Sequence, residues 1–318
     1  MRAAALAGTA LLLSASMGVS AHPPPRRRAP ASAPVPVREA ATQSGLTSLK
    51  TPGPDAILIR AGTFTMGSDE AEIANAIALC RFEPGGEEEG ACREDLFVHE
   101  FAPHPVYLSD YWIDRTEVTV ARYRQCVAAG RCTEPPYTSG AERFDRPDMP
   151  VVLVSWNDAS AFCAFAGGRL PTEAEWERAA KGLKGRRYPW GQVYNPLLAN
   201  HGRLTWDPLD PGDGFLEIAP VGSFPDGRTP DGIVDLAGNV DEWVLDYYSP
   251  EHPRVSAVNP RGPDSGNERV IKGGSYASAR PWLRGASRSR ESPGVRRPTR
   301  GFRCVRPHEP PPALPRAP

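Results

Sequence analysis

The sequence predicts an irregular, loop-rich α+β domain. The 36 prolines and 30 glycines in 318 residues cut most segments short. Two capping boxes still announce well-defined helices. The apolar runs between turn residues are short enough for strands only, and no internal repeat is visible.

The elements follow in chain order. Short strands are expected at Ala56–Arg60 and Val106–Leu108. A helix is expected from Val120 to Ala129, stopped by Gly130. Ser155-x-x-Asp158 is a capping box opening a helix through Ala159, Phe162, Cys163 and Ala166, with Gly167-Gly168 as its stop. Thr172-x-x-Glu175, after Pro171, opens another through Trp176 and Ala180, ended at Lys181-Gly182. A strand at Arg269–Lys272 follows, and the remainder reads as ordered loop. Glu173, Glu175 and Glu177 at a helix start are explained by capping and the helix dipole without catalysis.

Residues 1–21 read as a secretory signal peptide. Arg2 supplies the positive region, Ala3 to Leu13 the apolar run, and Val19-Ser20-Ala21 the small-residue cleavage site. The apolar run is too short to span a bilayer, so no stable membrane insertion is expected and the mature protein is periplasmic or secreted. Residues 22–50, rich in Pro, Ala, Arg and Ser, form a linker, and 307–318 a Pro-rich disordered tail. Residues 51–306 are the domain. With 37 basic and 38 acidic residues the chain lacks the basic excess of a nucleic-acid binder, and Arg26-Arg27-Arg28 reads as solvated linker.

An even count of six cysteines behind a signal peptide indicates disulfides, with fifteen pairings open. Proximity favours Cys80–Cys92 and Cys126–Cys132, which leaves Cys163–Cys304. No Cys-x-x-Cys pair supports a metal site instead.

Five blocks occur in order along the domain: Ile59 to Ser68 (IRAGTFTMGS), Tyr111 to Thr119 (YWIDRTEVT), Pro150 to Ala159 (PVVLVSWNDA), Arg169 to Glu177 (RLPTEAEWE) and Asp235 to Trp243 (DLAGNVDEW). They are followed by Gly273-Gly274-Ser275-Tyr276 and Gly301-Phe302-Arg303-Cys304. Over residues 55–306 this resembles the formylglycine-generating enzymes, or sulfatase-modifying factors. The resemblance implies that family's irregular α+β fold, related to C-type lectin-like domains. It also implies a bridge between Cys163 and Cys304.

That family oxidises a substrate cysteine with copper held by two thiolates. One cysteine stands two residues after GGSY and the second five further on; here those positions are Ser278 and Leu283. A serine hydroxyl is a hard donor and leucine offers none, so no Cu(I) site and no catalytic residue is expected, and copper is not expected as a cofactor. The resemblance further implies two structural calcium sites: Asn200, the His201 carbonyl, Asp213 and the Phe215 carbonyl; and Asp235, the carbonyls of Gly238 and Val240, and Glu242. Mixed carboxylate, amide and carbonyl oxygens suit calcium. Turn and cap roles account for the same residue types without a metal.

Searches for other catalytic patterns find no Gly-x-Ser-x-Gly elbow, no His-Glu-x-x-His and no phosphate loop. His99 and His104 sit in a Pro-broken segment. Arg280, Arg284, Arg288 and Arg290 are expected to pair with internal carboxylates rather than to line an anion pocket. The resulting expectation is a calcium-stabilised binding or accessory module with a groove beside Ser275, Ser278, Arg280 and Trp282, taking a peptide, protein or glycan. The alternatives are different oxidative chemistry on the same scaffold, as in a pyoverdine-maturing relative, or a true formylglycine-generating oxidase.

Overall fold

Fourteen helices and strands alternate with long ordered loops in a computed structural model that describes residues 55–308, apart from 89, 138–139, 206 and 252–256. The signal peptide at 1–21, the linker at 22–50 and all but the first two residues of the tail at 307–318 lie outside the described residues. In chain order the elements are β1 (Ala56–Ile59), β2 (Gly62–Met66), α1 (Glu70–Arg81), β3 (His104–Leu108), β4 (Tyr111–Asp114), α2 (Val120–Ala128), α3 (Trp156–Phe165), α4 (Glu173–Lys181), β5 (Asp241–Tyr247), β6 (Ala257–Val258), β7 (Arg269–Lys272), β8 (Arg288–Glu291), β9 (Arg300–Gly301) and β10 (Val305–Pro307). Three small sheets result, in the orders β1-β4-β10, β2-β3-β6 and β8-β7-β5-β9. None is large enough to bury a core alone, so helices and loops complete the packing.

Both capping boxes form. Ser155 accepts from the Asp158 amide and Thr172 from the Glu175 amide, and each acidic side chain accepts from its cap residue's backbone amide in return. β7 has the expected bounds, while β1 stops one residue short, β3 starts two residues earlier and α2 ends one residue earlier than the sequence reading. The reading of Glu70–Arg81 as loop is corrected: it is a helix capped by Asp69, whose side chain accepts from the Glu72 amide. Ala71, Ala74 and Ala78 lie on its exposed side, opposite Ile73, Ala76 and Cys80, so its periodicity is faint. β2, β4, β5 and β8 were also read as loop; each gains its conformation from a neighbouring strand rather than from local sequence.

Two apolar clusters form the main core. One gathers α2 and α3 around Tyr123, Phe162, Trp243 and Phe302; the other places Trp176, Ala179 and Ala180 of α4 against β2, β3, β4 and β7. Every residue of α4 is buried, although five of its nine are charged. Four of the five have close partners, and Arg178 reaches only the Arg60 carbonyl at 3.5 Å. Glu175 receives both arms of Arg169 at 2.6 and 2.7 Å, Glu177 accepts from Lys272 at 3.0 Å, and Lys181 donates to the Gly67 carbonyl. Glu173 pairs with Arg288 at 2.8 Å. Buried charge is tolerated only with such pairing.

All six cysteines are bridged, as Cys80–Cys92, Cys126–Cys132 and Cys163–Cys304. Among the described residues no helix is long and apolar enough to cross a membrane.

Two predictions follow from these contacts. Cys163–Cys304 spans 141 residues and Cys80–Cys92 spans 12. On the chain-entropy relation, double alanine replacement costs about 5 kcal/mol for the first and about 3 kcal/mol for the second, read from denaturant midpoints. Asp246 is buried, accepts from the Glu173 amide at 2.9 Å, and is pushed up to about 8 by burial and then by the Glu173 charge. The folded chain therefore keeps a proton that the unfolded chain releases near pH 4, so stability declines as pH rises from about 4 to 8. Asp246→Asn retains the acceptor, and its thermal melts should lack this part of the decline.

Candidate functional site

The GGSY turn sets the geometry. Gly273 and Gly274 both have positive φ, +93° and +67°. A Cβ on Gly274 would lie 2.8 Å from Leu283 Cδ2, 3.0 Å from the Trp282 carbonyl oxygen and 3.2 Å from Ser278 Cβ. Glycine is thus required for the Arg280–Leu283 3₁₀ turn to close over GGSY. The same contacts show that Ser278 and Leu283, five residues apart, converge over one backbone atom.

Neither side chain there is a soft donor. Ser278 Oγ accepts from the Ser275 amide at 3.0 Å and lies 3.3 Å from Ser275 Oγ, which itself accepts from the Ala277 amide. Leu283 is fully buried with Tyr188, Ala199 and Ala237. A pocket of about 110 Å³ adjoins the turn, with Ser278, Trp282, Asp241, Lys272 and Ser289 in its wall. Of the four groove residues expected, Ser278 and Trp282 therefore line it. Ser275 is buried under the turn, and Arg280 is drawn away by Glu83 and by the face of Tyr194, so neither is in the pocket wall. Trp282 leans on Phe97 with ring centroids 5.6 Å apart.

Sequence reasoning passed over the Asp241–Arg300 pair. Burial raises the Asp241 carboxyl, Arg300 opposes this from 2.6 Å, and Arg300 in turn covers the Trp243 ring. Three of the four arginines meet internal carboxylates, Arg280 with Glu83, Arg284 with Glu100 and Arg288, which also lines the pocket, with Glu173; Arg290 pairs with Glu268 at the surface instead.

Of the first expected calcium set, Asp213 meets the backbone of His201 and Phe215. Asp213 accepts from the His201 amide at 2.7 Å and the Phe215 amide at 2.9 Å, and burial raises its carboxyl. Asn200 donates to the Glu217 carbonyl and to Asn239, which turns its own Oδ1 inward, buried and without a hydrogen-bond partner. A buried amide oxygen without a hydrogen-bond partner, in the residue before the amide that Asp213 accepts from, has the donor chemistry of a hard-cation site.

The second set does not fit as assigned. Glu242 is fully buried, and its two oxygens accept from Arg303 Nε at 3.0 and 2.8 Å, Arg303 Nη2 at 2.7 Å and Trp176 Nε1 at 2.9 Å. Those bonds occupy its lone pairs and neutralise its charge. Asp235 accepts from the Gly222 amide at 2.6 Å, while Gly238 (φ +81°) is pressed so close to the Asn200 carbonyl that a Cβ would sit 2.0 Å from it. Val240 is buried in the core. Arg303 is the cation paired with Glu242; sequence reasoning treated it only as part of GFRC. No group of three or more His, Cys, Asp or Glu side chains suited to a metal occurs among the described residues.

Residues 43–308 match the sulfatase-modifying factor enzyme 1-like domain. The chain is 34% identical over 281 residues to the formylglycine-generating enzyme of Bos taurus, covering 79% of this chain and 74% of that one. It is 38% identical over 177 residues to the inactive C-alpha-formylglycine-generating enzyme 2 of Mus musculus, covering 54% and 53%. Among solved structures, PvdO from Pseudomonas aeruginosa superposes with a TM-score of 0.58 at 24% identity, covering 79% of this chain and 94% of that one, a likeness of fold alone. The chain belongs to the sulfatase-modifying factor family.

The Arg303–Glu242 contact yields a stability prediction. Glu242→Gln leaves a buried guanidinium without its counter-charge and should cost about 3–5 kcal/mol in urea unfolding. Glu291→Gln, at an exposed pair with Arg297, should cost about 1 kcal/mol or less.

Proposed function

We propose that this chain is an exported sulfatase-modifying-factor-like protein without copper-dependent formylglycine formation, acting as a calcium-stabilised binding or accessory module. The observation that carries the reading is the meeting of Ser278 and Leu283 over Gly274 while every cysteine is bridged. The scaffold of a two-residue site remains and its soft donors do not. Export is supported by the N-terminal pattern and by three disulfides, which persist in oxidising compartments. The likeness to a relative named as inactive supports a loss of the activity.

Calcium would be held by Asn200, Asp213 and the carbonyls of His201 and Phe215. It would fix the 200–215 loops beside the GGSY turn, where the Gly202 amide already bonds the Ser278 carbonyl at 2.9 Å. The ion's role there is structural. The pocket at Ser278 and Trp282 is the ligand site, and an indole beside the hydroxyls of Ser278 and Ser289 suits a peptide or glycan side group.

The test is elemental mass spectrometry of the exported, purified chain, with a cysteine-containing sulfatase peptide assayed for aldehyde formation in the presence of Cu(I). The expected result is calcium near one per chain, no stoichiometric copper and no aldehyde. Asp213→Ala should lose the calcium and melt at a lower temperature. Stoichiometric copper or iron, or aldehyde formation, would overturn the reading in favour of redox chemistry on this scaffold.

A further inference from the structure

The stretch from Gly67 to Glu100 differs in charge from the rest of the chain. It holds ten acidic residues and two arginines, in a protein whose overall net charge is −1. It folds as α1 followed by a strap of two short 3₁₀ turns at 94–100, stapled by Cys80–Cys92. Ile73, Ala76, Cys80 and Phe97 give it a small core of its own. Part of its acid holds it to the body: Glu100 takes both arms of Arg284 at 2.6 and 2.7 Å, and Glu83 takes Arg280.

Its outer side is a groove of about 410 Å³ between α1 and the strap. Ile73, Ala74, Ile77, Val98 and Phe101 form an apolar floor, and Glu70 and Glu94 stand exposed on its border. In the same module Phe82 is 78% exposed and Leu96 40%, besides Val98 of the floor at 38%. These are three of the nine large hydrophobic residues exposed among the described residues, gathered in one stapled module.

We propose that this groove docks a segment of a partner protein that presents apolar side chains flanked by lysine or arginine. The floor supplies the burial and the acidic border selects the sign of the flanks. A second copy would bring the same acidic border to the contact and be repelled by it. Anionic lipid and nucleic acid are disfavoured for the same reason. The surface is independent of the reading of the Ser278–Leu283 site, whose residues the test leaves unaltered.

The test uses the full chain and two short fluorescein-labelled peptides, leucines flanked by lysines and the same leucines flanked by glutamates, followed by fluorescence anisotropy. The lysine peptide should bind saturably, and the glutamate peptide at least about tenfold more weakly. Glu70→Gln with Glu94→Gln should weaken the lysine peptide about tenfold, and Val98→Asp should abolish its binding while circular dichroism stays unchanged. Equal binding of both peptides, no saturable binding, or binding indifferent to E70Q/E94Q would overturn the proposal. So would a dimer in sedimentation that V98D dissolves, which would assign the groove to a second copy.

Discussion

The guanidinium of Arg303 is the constraint on which the middle of this domain depends. It is fully buried and donates to the carbonyls of Asp114, Arg115, Val234 and Asp235 while clamping Glu242. One side chain thereby ties the end of β4, the loop before DLAGN and the start of β5. No set of sheets this small could hold those segments together by strand pairing alone. The charge is affordable because five acceptors surround it, and its removal would leave each of them desolvated and unmatched.

The same logic extends through α4. A helix with every residue buried would ordinarily be apolar all round. Here Glu175, Glu177 and Lys181 replace apolar contacts with directional ones, each reaching a different segment. Such pairs add little net stability over hydrophobic packing, but they permit one arrangement of the loops. Directional bonds take the place that regular secondary structure holds in other folds. The turn at Ser278 and Leu283 is held in the same way, by positive-φ glycines, the Ser278 amide on the Ser275 carbonyl and the Ser275 amide on the Ser278 hydroxyl.

Much of this was legible in the sequence where the cause is local. Capping boxes, a capped helix end and cysteine proximity depend on residues within one or two turns, so Ser155, Thr172 and Cys126–Cys132 announced themselves. Short strands did not, because Asp241–Tyr247 or Arg288–Glu291 become strands only when a partner arrives from far along the chain. α1 was hidden by its alanines. At the site, residue identity located Ser278 and Leu283, whereas the direction of Arg280 depended on Glu83, nearly two hundred positions earlier. Glu242 followed the same pattern: its type suited calcium, and only its distance to Arg303 revealed a different partner.

The bridge from Cys163 to Cys304 has a consequence for the order of events during biosynthesis. Its second sulfur is made 141 residues after the first. Throughout that interval α3 carries a thiol with no native partner, while Cys80–Cys92 and Cys126–Cys132 can already have closed behind it. Local bridges completed early remove the wrong partners before the long one is needed. The two short loops thus act as protecting groups for the long one, and the domain's last strand arrives at a chain in which a single choice of sulfur remains.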